Sequence, residues 1–334
     1  MKKLSIVLLL TILLVSIFAF TISAVAIKVG FVANNMQADS NVLAAKGMED
    51  YCERMGWEFQ LTDCQGDLTK LSSNMINLVS AKVDAVVLTC GEKTLIEEGV
   101  MAADKAGIPV FLSDTENIGN TIINGTSNCW AMGAFLASQT VDRMRAVDPD
   151  KKVHNVCIIG MPDLYVHRQR QQMMEAVFNS PENPDVNILA TEVCSVSNWQ
   201  TAPYDIVKAW IVKYGDDIDA ILGTWDGIGW GASRAIADSG LNKDNIFTMA
   251  IDGSEQTYDL IRKGDPFVGV IAQNFAGWSE VDGDAIQAVV VEGKDPKDVV
   301  PPSKTVYVPY MWIDATNVPA KGEGVEFNYI GLFE

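Results

Sequence analysis

From residue 27 onward the chain runs through one pattern twice: a short apolar run rich in β-branched residues, a stretch with helical spacing, then the next apolar run. Ile27-Lys28-Val29-Gly30-Phe31-Val32 reads as the first strand, and residues 41–55 follow with Leu43, Ala44, Gly47, Met48 and Tyr51 at helical intervals. Strands over 58–62, 85–88 and 108–112 then alternate with helices over 68–80 and 95–105, the last stopped by Gly107. The second half repeats the order, with strands over 156–159, 186–193, 219–223 and 246–251 and helices over 168–179, 204–214 and 229–239. Local sequence echoes too: Val83-Asp84-Ala85-Val86-Val87 is matched by Ile218-Asp219-Ala220-Ile221-Leu222, and Asp114 and Asp252 each end the fourth strand of their half. Strands alternating with helices predict parallel sheets, so the expected architecture is α/β: two doubly wound, Rossmann-like lobes joined by a hinge and facing each other across a cleft. The merely polar stretch 116–127 suits a hinge crossing. A further helix over 281–291 and a strand over 305–308 must pack on one lobe or the other, so the lobes interleave in sequence.

Residues 1–26 stand outside this pattern. Lys2 and Lys3 precede an uncharged run that ends in Ala24-Val25-Ala26, which predicts a cleavable signal peptide and a mature start near Ile27; an uncleaved anchor is the alternative. The first cysteine is Cys52, so no lipid-bearing Cys stands at the cut. The whole chain of 334 residues carries 43 acids against 25 bases, a formal charge of −18; loss of two lysines and no acid makes the exported part −20. Such a balance argues against nucleic acid, which is held by Lys and Arg on phosphates, and against an anionic membrane surface. Cys52, Cys64, Cys90, Cys129, Cys157 and Cys194 permit disulfides in an oxidising compartment, but no spacing is a CxxC pair and a core of this size needs no staples.

In a doubly wound sheet, ligands bind beyond the carboxyl ends of the strands. Here those loops carry Asn34, Asn35, Gln37, Asp39 and Ser40, then Asp114 and Thr115, and in the second half Tyr165, His167 and Arg168, Asn198 and Trp199, Trp225 and Asp226, Asp252, and Gln273 with Asn274. Carboxylates accept neighbouring hydroxyls, arginine donates in a planar fork, amides do both, and a tryptophan face covers the C–H side of a sugar. The set suits a neutral polyhydroxylated ligand. Taken singly, a strand-end Asp also serves as a helix cap and a Trp as lobe packing. Gly227-Ile228-Gly229-Trp230-Gly231-Ala232 satisfies GxGxxA, but Trp225-Asp226 occupy the turn where a dinucleotide fingerprint needs its glycines, so helix packing is the preferred account and no cofactor is expected. His154 and His167 lack a third ligand at metal spacing, and no GxSxG elbow is present. Asp114, Asp226 and Asp252, if they converge, keep a glycosidase open as an alternative.

Several motifs in order carry a family resemblance: Lys46-Gly47-Met48-Glu49, Val83-Asp84-Ala85-Val86-Val87, Ala106-Gly107-Ile108-Pro109-Val110 leading to Asp114, Arg168-Gln169-Arg170, Trp225-Asp226, Ala250-Ile251-Asp252-Gly253 and Ile271-Ala272-Gln273. From about 27 to 308 the chain resembles the type I periplasmic sugar-binding proteins of ABC transporters, near the ribose-binding group. The resemblance implies that Asp114, Arg168, Asp252 and Gln273 are the principal polar ligand contacts and Trp199 an aromatic stacking position. Asn35, Gln37, Asp39, Thr115, Trp225 and Asp226 complete the expected site. Trp225 stands where the ribose binders carry an Asn, Ala38-Asp39-Ser40-Asn41 replaces their Asn-Pro-Phe-Phe, and Thr115 replaces a basic residue. The implied ligand is therefore another pentose, a hexose, a sugar alcohol or another polar ring, with a nucleoside or furanosyl compound as runner-up. The implied division is 27–126 with 274–308 in one lobe and 127–273 with 309–334 in the other. The implied setting is a monomeric, non-enzymatic periplasmic carrier that serves a membrane permease and its ATPase.

Overall fold

The computed structural model describes residues 27–242 and 244–328; the expected signal peptide lies outside the described residues. In the first half the strands are β1 (Lys28–Ala33), β2 (Glu58–Asp63), β3 (Ala85–Thr89), β4 (Val110–Ser113) and β5 (Asn124–Thr126), separated by helices α1 (Asp39–Met55), α2 (Leu71–Ser80) and α3 (Lys93–Ala106). Gly107 ends α3 in the left-handed region, at φ 73°, where its N–H caps the carbonyls of Ala103 and Asp104. The second half contains α4 (Cys129–Val147), β6 (His154–Gly160), α5 (Tyr165–Phe178), β7 (Val186–Val193), α6 (Ala202–Tyr214), β8 (Ala220–Gly223), α7 (Asp226–Ser239), β9 (Phe247–Asp252), α8 (Glu255–Lys263) and β10 (Phe267–Gln273). The tail adds α9 (Phe275–Ile286), α10 (Pro296–Val299), β11 (Thr305–Tyr307) and β12 (Tyr310–Asp314).

Two six-stranded sheets result, ordered β11-β5-β4-β3-β1-β2 and β12-β10-β9-β8-β6-β7. Every pairing is parallel except β10 with β12. The inner strands are almost wholly buried, Ala85–Thr89 at every residue, because helices cover both faces of a parallel sheet. The chain passes between the sheets three times, from β5 into α4, from β10 into α9, and from β11 into β12. Accordingly Phe275, Trp278 and Val281 of α9 lie in the core with Val29, Phe31 and Phe111, whereas Met132 and Leu136 of α4 lie in the core with Ile158, Leu222 and Ile251. Helix α4 is absent from the sequence reading. Its buried residues Met132, Leu136, Thr140 and Met144 do recur every fourth position, but Gly133, Ala137 and Thr140 weaken the apolar signal.

The GxGxxA glycines are explained by close packing. A Cβ would meet the Trp225 ring at 2.6 Å from Gly227, Phe267 at 2.4 Å from Gly229, and Pro203 and Tyr204 at 2.9 Å from Gly231. All six cysteines are buried and unpaired. Burial raises their thiols, those of Cys52, Cys157 and Cys194 to about 12. No helix among the described residues is long and apolar enough to cross a membrane.

Candidate functional site

In each sheet the chain steps outward from a central strand in both directions, β1 lying between β2 and β3, and β6 between β7 and β8. Such a reversal opens a crevice at the carboxyl ends of the strands, and here the two crevices face each other. The first lobe supplies Asn34 and Asn35 after β1, Cys90 after β3, Asp114 after β4, and Ser40 and Asn41 from the first turn of α1. The second supplies Met161 after β6, Trp225 after β8, Asp252 at the end of β9, Val196 and Trp199 from the loop after β7, and Leu164, His167 and Arg170 around the start of α5. The cleft is narrow, with about 390 Å³ free of atoms, the open mouth included. Three residues at strand ends here, Cys90, Asp114 and Asp252, have φ of 50°, 47° and 115°. Non-glycine residues are strained in that region, and such strain concentrates at binding sites.

Arg170 is the hub. Its guanidinium is 1% exposed and ties the two lobes together: Nη1 donates to Asp252 Oδ1 and to the Thr224 carbonyl at 3.0 Å each, and Nη2 donates to Asp114 Oδ2 at 3.3 Å. Asp114 also accepts from Thr126 Oγ1 at 2.6 Å, and Asp252 from Gln273 Nε2 at 2.6 Å. Burial raises both carboxyls, with Arg170 pulling each back towards the ionised form. One guanidinium between two carboxylates leaves the cleft at most one net negative charge, which suits hydroxyl donors and opposes anions. His167 is held well below the usual imidazole range by burial, then by Arg170 and Arg168, so it stands neutral with Nδ1 3.0 Å from Thr224 Oγ1.

Four buried polar atoms here have no partner in the protein: Asn41 Oδ1, Arg170 Nε, Trp225 Nε1 and Gln273 Oε1. Of these residues, Asn41, Arg170 and Trp225 line the cleft, and Gln273 stands behind Asp252. Unsatisfied buried groups are costly, and an acceptor and two donors around this narrow slot are left open to a polar guest. Its apolar wall is a pair of tryptophans, Trp199 and Trp225, 4.6 Å apart at 64°, with Trp230 packed behind them 6.0 Å from Trp199.

Residues 29–294 match the family described as Periplasmic binding protein domain. This chain belongs to that family. Among relatives is a xylitol-binding protein of Mycolicibacterium smegmatis, 25% identical over 259 residues that span 75% of this chain and 69% of that one. Among solved structures, an ABC sugar transporter subunit from Rhodobacter sphaeroides is 25% identical with a TM-score of 0.74, covering 87% of this chain and 98% of its own. An ABC transporter solute binding protein from Agrobacterium vitis, solved with allitol bound, has the same identity and TM-score over 88% of this chain and 97% of that one.

Of the residues singled out from sequence, the structure brings Asn35, Asp114, Trp199, Trp225 and Asp252 together on the walls of this periplasmic binding protein's cleft. Gln273 touches Asp252 rather than the open space. Asp226 is buried but turned to Thr257, whose hydroxyl donates to it at 2.7 Å, so the three-carboxylate convergence becomes a pair bridged by Arg170. Thr115 is spent within the first lobe, accepting from the Gly91 N–H and donating to the Ser113 carbonyl. Gln37 is exposed at the mouth, where it accepts from Gln200 Nε2 of the other lobe at 3.1 Å, and Asp39 lies beside it in an outer groove with Trp199 and Trp230.

Arg168 requires correction. It lies outside the cleft, donating to the Pro162 carbonyl at 2.7 Å and to Glu92 Oε2 at 3.0 Å; Arg170 takes the inward position. The reason is helical phase. Val166, Arg170, Met174 and Phe178, at intervals of four, form the buried stripe of α5, and residue 168 points away from it. That spacing was available in the sequence and would have selected Arg170.

Proposed function

We propose that this protein is the extracytoplasmic receptor of an ABC importer, which captures a neutral sugar or sugar alcohol between its lobes and hands it unchanged to the permease and its ATPase. The observation that carries this reading is the cleft itself. A buried arginine bridges a carboxylate of each lobe, and unpartnered donors and an acceptor surround the narrow slot between them. The relatives' names add the ligand class, with xylitol for one and allitol for another, and sugar alcohols lead for this chain. The lobes meet in this structure through Arg170 with Asp114, Gln200 with Gln37, and Ala38 of the first lobe packed into the core of the second. A ligand with contacts to both lobes favours this closed form over an open one by its differential affinity.

No hydrolytic role follows from the carboxylates, since Arg170 engages both and Asp226 does not line the cleft. Export by cleavage near Ile27 and action as a monomer complete the proposal. A thermal-shift panel of pentitols, hexitols, pentoses, hexoses and nucleosides tests it. Stabilisation by at least one polyol or sugar, without turnover of it, is expected; stabilisation by nucleosides alone would move the ligand to that class, and no shift with any compound would defeat the reading.

A further inference from the structure

The carboxylate that Arg168 pairs with belongs to the other lobe. Arg168 sits in the first turn of α5, where the positive end of the helix dipole disfavours a cation. Its partner, Glu92, is the residue that precedes α3, where the same dipole effect favours an anion. Glu92's neighbour Lys93 is taken up by Glu116 at 3.1 Å, so the charge of Glu92 is left for Arg168. The guanidinium is already aimed: it donates to the Pro162 carbonyl and lies 5.9 Å from the centre of the Tyr165 ring, both within its own lobe. Side-chain exposure of 42% for Arg168 and 14% for Glu92 puts the pair at the edge of the closed cleft, within reach of salt.

We propose that Glu92 and Arg168 form an electrostatic latch that favours lobe closure without touching the ligand, so that capture of an uncharged ligand becomes sensitive to ionic strength. The contact exists only when the lobes meet. Its free energy therefore adds to the closing equilibrium, and the apparent dissociation constant rises by the factor by which the closed population falls. A pair this exposed changes that equilibrium roughly two- to five-fold, and screening at molar salt, where the Debye length is about 3 Å, removes most of it.

The proposal rests on the two-lobe capture reading, and the test separates their failures. Spin labels at Met101→Cys and Val212→Cys, 64% and 84% exposed on helices of opposite lobes, report the interlobe distance while the native thiols stay buried. Distances are measured without ligand and across a xylitol titration, at 20 mM and 500 mM NaCl, for the otherwise native protein, Glu92→Gln, Arg168→Gln and the swap Glu92→Arg with Arg168→Glu. Expected is a two- to five-fold lower closed-to-open ratio in each single variant, restoration by the swap, and loss of the salt dependence in Glu92→Gln. Closed fractions and salt dependence equal to the native ones in both single variants, or a swap that fails to restore closure, would overturn the latch. If xylitol and the wider polyol panel leave every distance unchanged, the ligand reading fails, and the ligand-free salt dependence still decides the latch.

Discussion

Asp252 and Trp199 give the most direct tests of the site at the residue scale. Asp252→Asn keeps the side-chain volume but removes the charge that faces Arg170 Nη1, and a charge-assisted contact is roughly twice as strong as a neutral one. At least ten-fold weaker ligand binding by calorimetry is expected, with the fold retained by circular dichroism. Trp199→Ala removes a wall that also braces Trp225 and Trp230, and a loss of about 2 kcal/mol or more in binding is expected, as for buried aromatic anchors elsewhere. Unchanged affinity in either variant would place the site elsewhere. Asp282, which does not line the cleft, tests the electrostatics of burial. Its carboxyl accepts from Ser113 Oγ at 2.6 Å, Oδ1 has no partner, and burial pushes it well above the usual carboxylate range. A folded-state value above the unfolded one means that stability is fully present in acid, below about pH 4, and is lost as pH rises towards the folded value. Asp282→Asn mimics the protonated acid, so its melting temperature relative to the native protein should climb between pH 4.5 and pH 8; a difference independent of pH would contradict this.

The decisive element is α5, because it delivers Arg170 and His167 to the cleft and Arg168 to its edge. Its position depends on α4, against which it packs through Gly133: a Cβ there would lie 2.3 Å from the Arg170 carbonyl oxygen and 2.9 Å from its Cα. Since backbone must move to make room, Gly133→Ala is expected to cost about 1–3 kcal/mol of stability. It should also weaken ligand binding, measured by melting and calorimetry together; a stable variant with native affinity would show that the contact relaxes freely. Most elements were legible from their apolar periodicity, as with β3 and β7, whose strands fall where the alternation puts them. Helices α4 and α8 were not; in α4, Gly133, Ala137 and Thr140, small enough for close approach to α5, break up the apolar stripe.

For the molecule as a whole, two sheets, each packed between its own helices and joined by three crossings, allow the lobes to hinge. A ligand that bridges them should raise the melting temperature and contract the particle in small-angle scattering. At a hundred-fold excess over Kd the expected stabilisation is about 2.7 kcal/mol. Anionic counterparts of an effective ligand, such as a sugar phosphate or an aldonate, should give neither effect, because a formal charge of −18 and a cleft with two carboxylates to one guanidinium both oppose them. Stabilisation by the anion equal to that by its neutral parent would show that the cleft charge has been misread.

Alternation of apolar strands with amphipathic helices, repeated in two halves, was enough by itself to determine the parallel sheets and the strand ends at which a site must lie, because periodicity is a local property of the chain. The carboxylates Asp114 and Asp252 and the tryptophans Trp199 and Trp225 were legible for the same reason, each following directly from a strand or its loop. The tertiary structure decided which side chains turn inward. It chose Arg170 over Arg168 by the rotation of α5 against α4, sent Asp226 to Thr257 and Thr115 to Gly91, and brought Glu92 to Arg168 from the other lobe. Those choices depend on distances between elements remote in sequence, and a one-dimensional pattern does not contain them.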